Sequence, residues 1–162
     1  MRTTYNIAGF IFLISVTGAF FIQSCKNKSA ANNNEPKAGF QFKEKLSEYN
    51  FFSGKINELK PRPGLINYEL VTPLFTDYAI KDRFIVLPKS KSIQYTSTGI
   101  LDFPDSTIII KNFAYKNVDH QKIMLETRLL VKDPADSRWK VMNYLWNADQ
   151  TDAKKHIIGA KV

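Results

Sequence analysis

The sequence predicts a mainly β fold: an antiparallel sandwich or open barrel with one or two short peripheral helices. Three observations predict it. From residue 65 onward, apolar residues recur with period two in short runs spaced about 8 to 15 residues apart, the pattern of antiparallel strands. Pro, Gly, Asp and Asn cluster between those runs, where turns require them. Aromatic residues make up 13% of the chain, and large rings fill the space between packed β layers.

The elements follow in chain order. Arg2 is the only charge before Lys26, and residues 7–22 form a nearly unbroken apolar run. A basic start, an apolar stretch and small residues at its end make a secretory signal over residues 1–24. The run is shorter than the roughly 18 to 20 residues that a bilayer-spanning helix needs. The only cysteine, Cys25, follows directly in Ile22-Gln23-Ser24-Cys25. This resembles the lipobox of bacterial lipoproteins, which implies cleavage before Cys25 and acylation of its thiol and of the new amino group. Residues 25–39 are then the lipidated cysteine and a disordered tether, since Lys26 to Gly39 holds no large apolar residue.

Residues 40–162 are expected to form a single β-rich domain. Phe42, Leu46 and Tyr49 fall at helical spacing and predict a short helix, ended by Ser53-Gly54. Pro61-Arg62-Pro63-Gly64 is a firm break. Strands are predicted at 65–70, 84–87, 92–96, 107–115, 123–132 and 139–146, with a hairpin through 88–91 and a second peripheral helix around 77–81. The triple isoleucine of 108–110 predicts a strand buried on both faces. In 123–132, Leu125, Thr127, Leu129 and Val131 share one face, and Met124, Glu126, Arg128 and Leu130 the other.

Composition limits the chemistry. An apolar content of 44% excludes wholesale disorder, and one cysteine excludes a disulfide framework or a thiolate-only metal cage. The net charge of +8 is spread along the chain without a basic helix or an aromatic stacking motif. That distribution excludes nucleic acid and favours anionic lipid, polysaccharide or an acidic protein. His120 and His156 lack a ligand at metal-binding spacing, and the sequence has neither a Gly-x-Ser-x-Gly elbow nor a glycine-rich phosphate loop.

The candidate binding residues are few. Glu126 and Arg128 lie two apart on one strand and share a face. Tyr144 and Trp146 are likewise two apart, which would let their rings form a platform for a sugar. In 146–153, Asn147 reads as a helix cap with Gln150 reaching back. The competing reading makes Asp149 and Asp152 oxygen ligands for calcium or contacts for a sugar. Calcium takes about six to eight oxygens, so two carboxylates fall short of a site.

Four segments in order carry a resemblance: LSEYNFF (46–52), YELVTPLFTDYA (68–79), LDFPDSTIIIKNF (101–113), and LETRLLV (125–131) running on to YLWN (144–147) and QTDA (150–153). They are similar to the N-terminal module of a largely uncharacterised family of secreted bacterial proteins. In that family the module often precedes a c-type cytochrome haem motif, and some members carry a sugar-dehydrogenase propeller. The resemblance implies a place near envelope redox chemistry or carbohydrate oxidation and supplies no catalytic residues. Haem attachment needs Cys-x-x-Cys-His, which this chain lacks. No cofactor is therefore expected in this chain, and haem only with a further C-terminal part. Residues 157–162 read as an unfinished strand, as in a truncated or naturally short member.

Together these readings imply a lipid-anchored envelope module, on the outer membrane facing the periplasm, that binds or docks without a catalytic site of its own. Its expected partners are the membrane, through the anchor, and a periplasmic redox protein or a polysaccharide. The alternative is a carbohydrate-binding or carbohydrate-processing lipoprotein.

Overall fold

The computed structural model describes residues 37–157. The expected signal, Cys25, most of the expected tether and residues 158–162 lie outside the described residues. Six strands form one open antiparallel sheet in simple sequence order, and it does not close into a barrel. They are β1 (Leu65–Asn67), β2 (Ile80–Val86), β3 (Ile108–Lys116), β4 (Lys122–Lys132), β5 (Trp139–Trp146) and β6 (Ala153–His156). Two 3₁₀ turns, Leu46–Tyr49 and Ile56–Glu58, are the helical pieces among the described residues, and both are peripheral. The mainly β, antiparallel class read from the sequence is the one observed.

One face of the sheet is closed by the segment that precedes it. Phe84, Ile110, Ala114, Leu129, Val131 and Tyr144 are buried on that face, beneath Leu46, Phe51, Phe52 and Leu59. An aromatic chain joins the two layers. Tyr49 stacks on Phe51 at 5.0 Å, meets Tyr144 edge-on at 5.9 Å, and Phe52 meets Phe84 at 5.2 Å. Asp133, fully buried at the end of β4, fastens the start of this cover by accepting the Phe40 N–H at 3.2 Å. Hydrogen bonding to Lys140 and then to the Ala135 N–H holds its carboxyl below the usual aspartate range.

Several local expectations need correction. The helix predicted over 42–49 shrinks to Leu46–Tyr49, because Lys45 is tied into an extended bridge with Lys154 and Asn50 turns left-handed at φ 54°. The helix predicted around 77–81 does not form. Asp77 and Tyr78 have φ of 40° and 61°, and β2 begins at Ile80 in register with Ala114. The predicted strand at 92–96 has no ladder to join, since β2 is already paired by β1 and β3; only Gln94 bridges to Asp102. In β3, Ile108 and Ile110 are buried while Ile109 is only half-buried on the other face.

A bulge in β4 changes which side chains share a face. Phe113 opposes Glu126 and Ala114 opposes Met124, leaving Leu125 as the extra residue. Met124 therefore joins Thr127, Leu129 and Val131 in the core instead of lying beside Glu126 and Arg128. Gln150 seals the bulge: its Oε1 accepts the Met124 N–H at 2.6 Å, and its Nε2 donates to the Met124 carbonyl at 3.1 Å.

Candidate functional site

The second face of the sheet carries the polar chemistry, in rows set by strand register. An apolar row runs Ile66, Ile85, Ile109, Leu130, Val141 across β1 to β5. The next row runs Arg83, Lys111, Arg128, Asn143, His156 across β2 to β6. Three cations thus stand directly opposite one another on adjacent strands. Like charges in that position oppose sheet formation by a few tenths to about 1 kcal/mol per pair. A third row places Lys81, Phe113 and Glu126 side by side.

The β1–β2 loop folds over this face and makes a cleft of about 230 Å³, lined by Leu70, Leu74, Thr76, Lys81, Arg83, Lys111, Phe113 and Arg128. A second hollow of about 450 Å³ shares Leu74, Thr76, Lys81 and Arg83 and is also lined by Phe75 and Tyr78. The loop is held by the Tyr68 N–H donating to the Arg83 carbonyl at 3.2 Å and by Lys81 Nζ donating to the Leu74 carbonyl. Burial pushes the Tyr68 hydroxyl above its ordinary range, and the nearby Arg83 charge opposes that shift.

Arg83 is the unusual member of the cleft. Only 5% of its surface is exposed, its guanidinium lies 3.7 Å from the Glu69 carboxylate, and its buried Nε has no hydrogen-bond partner among the described residues. Thr76 Oγ1, in the same wall, is also buried and unpartnered. Arg128 pairs with Glu126 and lies 4.8 Å from the centre of the Phe113 ring, a cation–π arrangement.

Of the residues singled out from the sequence, Glu126 and Arg128 lie on this face, and Arg128 lines the cleft. The others are elsewhere. Tyr144 is fully buried and Trp146 half-buried, with its indole N–H donating to Thr127 Oγ1 at 3.0 Å. The two rings present no platform, because the face they share is the core. Residues 147–152 are the β5–β6 hairpin loop and not a helix start. Asn147 still caps, its Oδ1 accepting the N–H groups of Thr151 and Asp152 at 2.9 and 3.1 Å.

Asp149 is exposed beside a hollow formed with Lys55 and Asn57, and its carboxylate accepts the Thr151 hydroxyl. Asp152 clamps the cover to the sheet: its carboxylate accepts the Ser47 N–H at 3.1 Å and the Ser47 hydroxyl at 2.6 Å. Among the described residues no three His, Cys, Asp or Glu side chains gather at metal-binding distance. Asp152→Ala is expected to destabilise the domain by about 1–3 kcal/mol, by orphaning those donors. Millimolar calcium is expected to leave the wild-type melting temperature unchanged. A calcium-dependent rise lost in Asp152→Ala would reverse that assignment.

Lys81, Arg83 and Lys111 were not singled out from the sequence. A signal existed: Lys81/Arg83, Lys111/Phe113 and Glu126/Arg128 are each two apart within a strand, so each pair shares a face. No protein-family model, curated protein or solved structure matches the chain.

Proposed function

We propose that this chain is a lipid-anchored binding and docking module of the bacterial cell envelope, without a catalytic site of its own. The observation that carries the reading is the asymmetry of the sheet. One face is sealed by the aromatic cover, and the other presents an ordered row of cations beside an apolar row and a cleft. The cleft walls combine positive charge with apolar side chains, a composition suited to holding an anionic partner. Cys25 and the lipobox resemblance support the anchor, with the domain on the outer membrane facing the periplasm. The order of the four segments that resemble the cytochrome-linked family supports a partner among periplasmic redox proteins. Two-thiol c-type attachment of haem does not fit this chain, since the sequence has one cysteine.

The carbohydrate alternative rested on Tyr144 and Trp146 as a platform. With Tyr144 in the core, no ring pair at that position favours it.

Two experiments test the proposal. Cys25→Ala is expected to abolish acyl labelling and to move the protein from the membrane to the soluble fraction, with its β-sheet circular dichroism unchanged. Retention of acyl label would remove the anchor from the reading. A photo-crosslinking residue placed at Arg128 in native envelopes is expected to capture a discrete partner, whereas one at Lys60, on the covered side, is not. Equal capture from both positions, or from neither, would overturn the docking face.

A further inference from the structure

We infer that the cleft between the β1–β2 loop and strands β2–β4 is a binding site for a phosphate-type oxyanion, with Arg83 and Lys111 as its principal donors. The inference rests on reading this face as the binding surface and names what that surface holds. Three observations carry it.

First, Arg83 lines the cleft and is buried, and its Nε has no hydrogen-bond partner among the described residues. Glu69 approaches Nη1 of the guanidinium at 3.7 Å, which leaves Nε for another acceptor. A buried guanidinium with an unused donor is costly to maintain without a partner.

Second, charge within the cleft does not cancel. Lys81, Arg83, Lys111 and Arg128 contribute four positive charges, and the carboxylates paired to them are Glu69 and Glu126, which leaves +2. Lys111 makes no ion pair among the described residues, although it stands between two arginines in register. A phosphate monoester carries about −1.5 to −2 at neutral pH, which matches that excess.

Third, the donors come from three adjacent strands and stand side by side in one row along the cleft, so several oxygens of one anion can be engaged together. A planar carboxylate is satisfied by a single arginine fork. Thr76 Oγ1 adds an unpartnered hydroxyl in the same wall. Leu70, Leu74 and Phe113 offer apolar surface to whatever carries the phosphate. A lipid headgroup and a soluble phosphate ester share this chemistry.

The test titrates inorganic phosphate into the full chain in a phosphate-free non-ionic detergent and follows the arginine Nε–H resonances. Saturable movement of one buried arginine signal is expected, weakened about tenfold or more in Lys111→Gln by loss of one charge-assisted donor. Lys60→Gln removes the same charge from an exposed position outside the cleft and is expected to bind as wild type. Arg83→Gln is expected to abolish the response. Because Arg83 is buried, that variant could lose its fold, and near-ultraviolet circular dichroism of Lys111→Gln then makes the latter decisive.

Reconstitution into phosphatidylcholine nanodiscs, with and without phosphatidic acid, separates the sources. A headgroup occupant would reproduce the arginine shift with the acidic lipid alone and push the phosphate titration to higher concentration. A soluble source would leave both unaffected by the lipid. No saturable shift in wild type, or equal weakening in Lys111→Gln and Lys60→Gln, would overturn the site. If the same preparation is lipidated and still crosslinks its partner from Arg128, that failure falls on the oxyanion site and leaves the docking reading intact.

Discussion

Replacing Tyr144 with alanine is expected to cost about 3–5 kcal/mol, the range for deleting a buried aromatic side chain. Tyr144 is fully buried in β5 and touches the cover through Tyr49, ring edge to ring face. Its hydroxyl closes a three-membered circuit of hydrogen bonds. The Lys43 N–H donates to the Tyr49 hydroxyl at 2.8 Å, Tyr49 donates to Tyr144 at 2.8 Å, and Tyr144 donates to the Lys43 carbonyl at 2.8 Å. The substitution therefore opens a cavity beneath the cover and orphans the polar groups that position it. Since whole domains are stable by only about 5–15 kcal/mol, urea unfolding followed by circular dichroism should show a much earlier midpoint. A loss below about 1 kcal/mol would mean that the cover does not depend on this ring.

Tyr144→Phe separates the ring from the hydroxyl. It is expected to cost about 1–2 kcal/mol at neutral pH, since packing is kept and the circuit is broken. Burial is the largest cause that pushes the Tyr144 hydroxyl well above its ordinary value of 10.0. A proton held more tightly in the folded state contributes stability that is complete below about pH 10 and is lost as pH rises further. Wild type should therefore lose stability between about pH 10 and 12 more steeply than Tyr144→Phe. Parallel pH profiles for the two proteins would remove Tyr144 as the source of that alkaline limb.

How much of this was legible beforehand differs between elements for physical reasons. Strands β3, β4 and β5 announced themselves, because nine, eleven and eight residues of near-regular alternation leave little ambiguity. Strand β6 did not: its four residues read Ala-Lys-Lys-His, and its place comes from pairing with β5 and with Lys45. The β4 bulge left no sequence mark, because its stabilising partner, Gln150, lies 26 residues away. Period two correctly placed Tyr144 and Trp146 on one face. It could not say that residues 40–62 would cover that face. The cleft was half legible for a similar reason. Glu126 and Arg128 stood out as neighbours on one strand, whereas Arg83 and Lys111 become neighbours only through the register of β2 with β3.

Thr127→Val, a change of almost no volume, is expected to cost about 2–4 kcal/mol by orphaning two buried polar groups. Thr127 is fully buried opposite Asn112, donates to Asn112 Oδ1 at 2.6 Å and accepts the Trp146 indole N–H at 3.0 Å. Asn112 Nδ2 is already buried without a partner, so valine would leave the whole amide unsatisfied. Asn112→Leu alone should cost less, because it removes the unpaired amide and leaves the hydroxyl to Trp146. In the double variant the remaining orphan is the indole, and the cost should fall short of the sum of the singles by about 1–2 kcal/mol. Additive costs in that cycle would mean that the three side chains act independently. A non-additive cycle, with a red shift of tryptophan emission in Thr127→Val, would establish that this network fixes β3, β4 and β5 in one register. That register is also what aligns Lys111 with Arg128 on the opposite face.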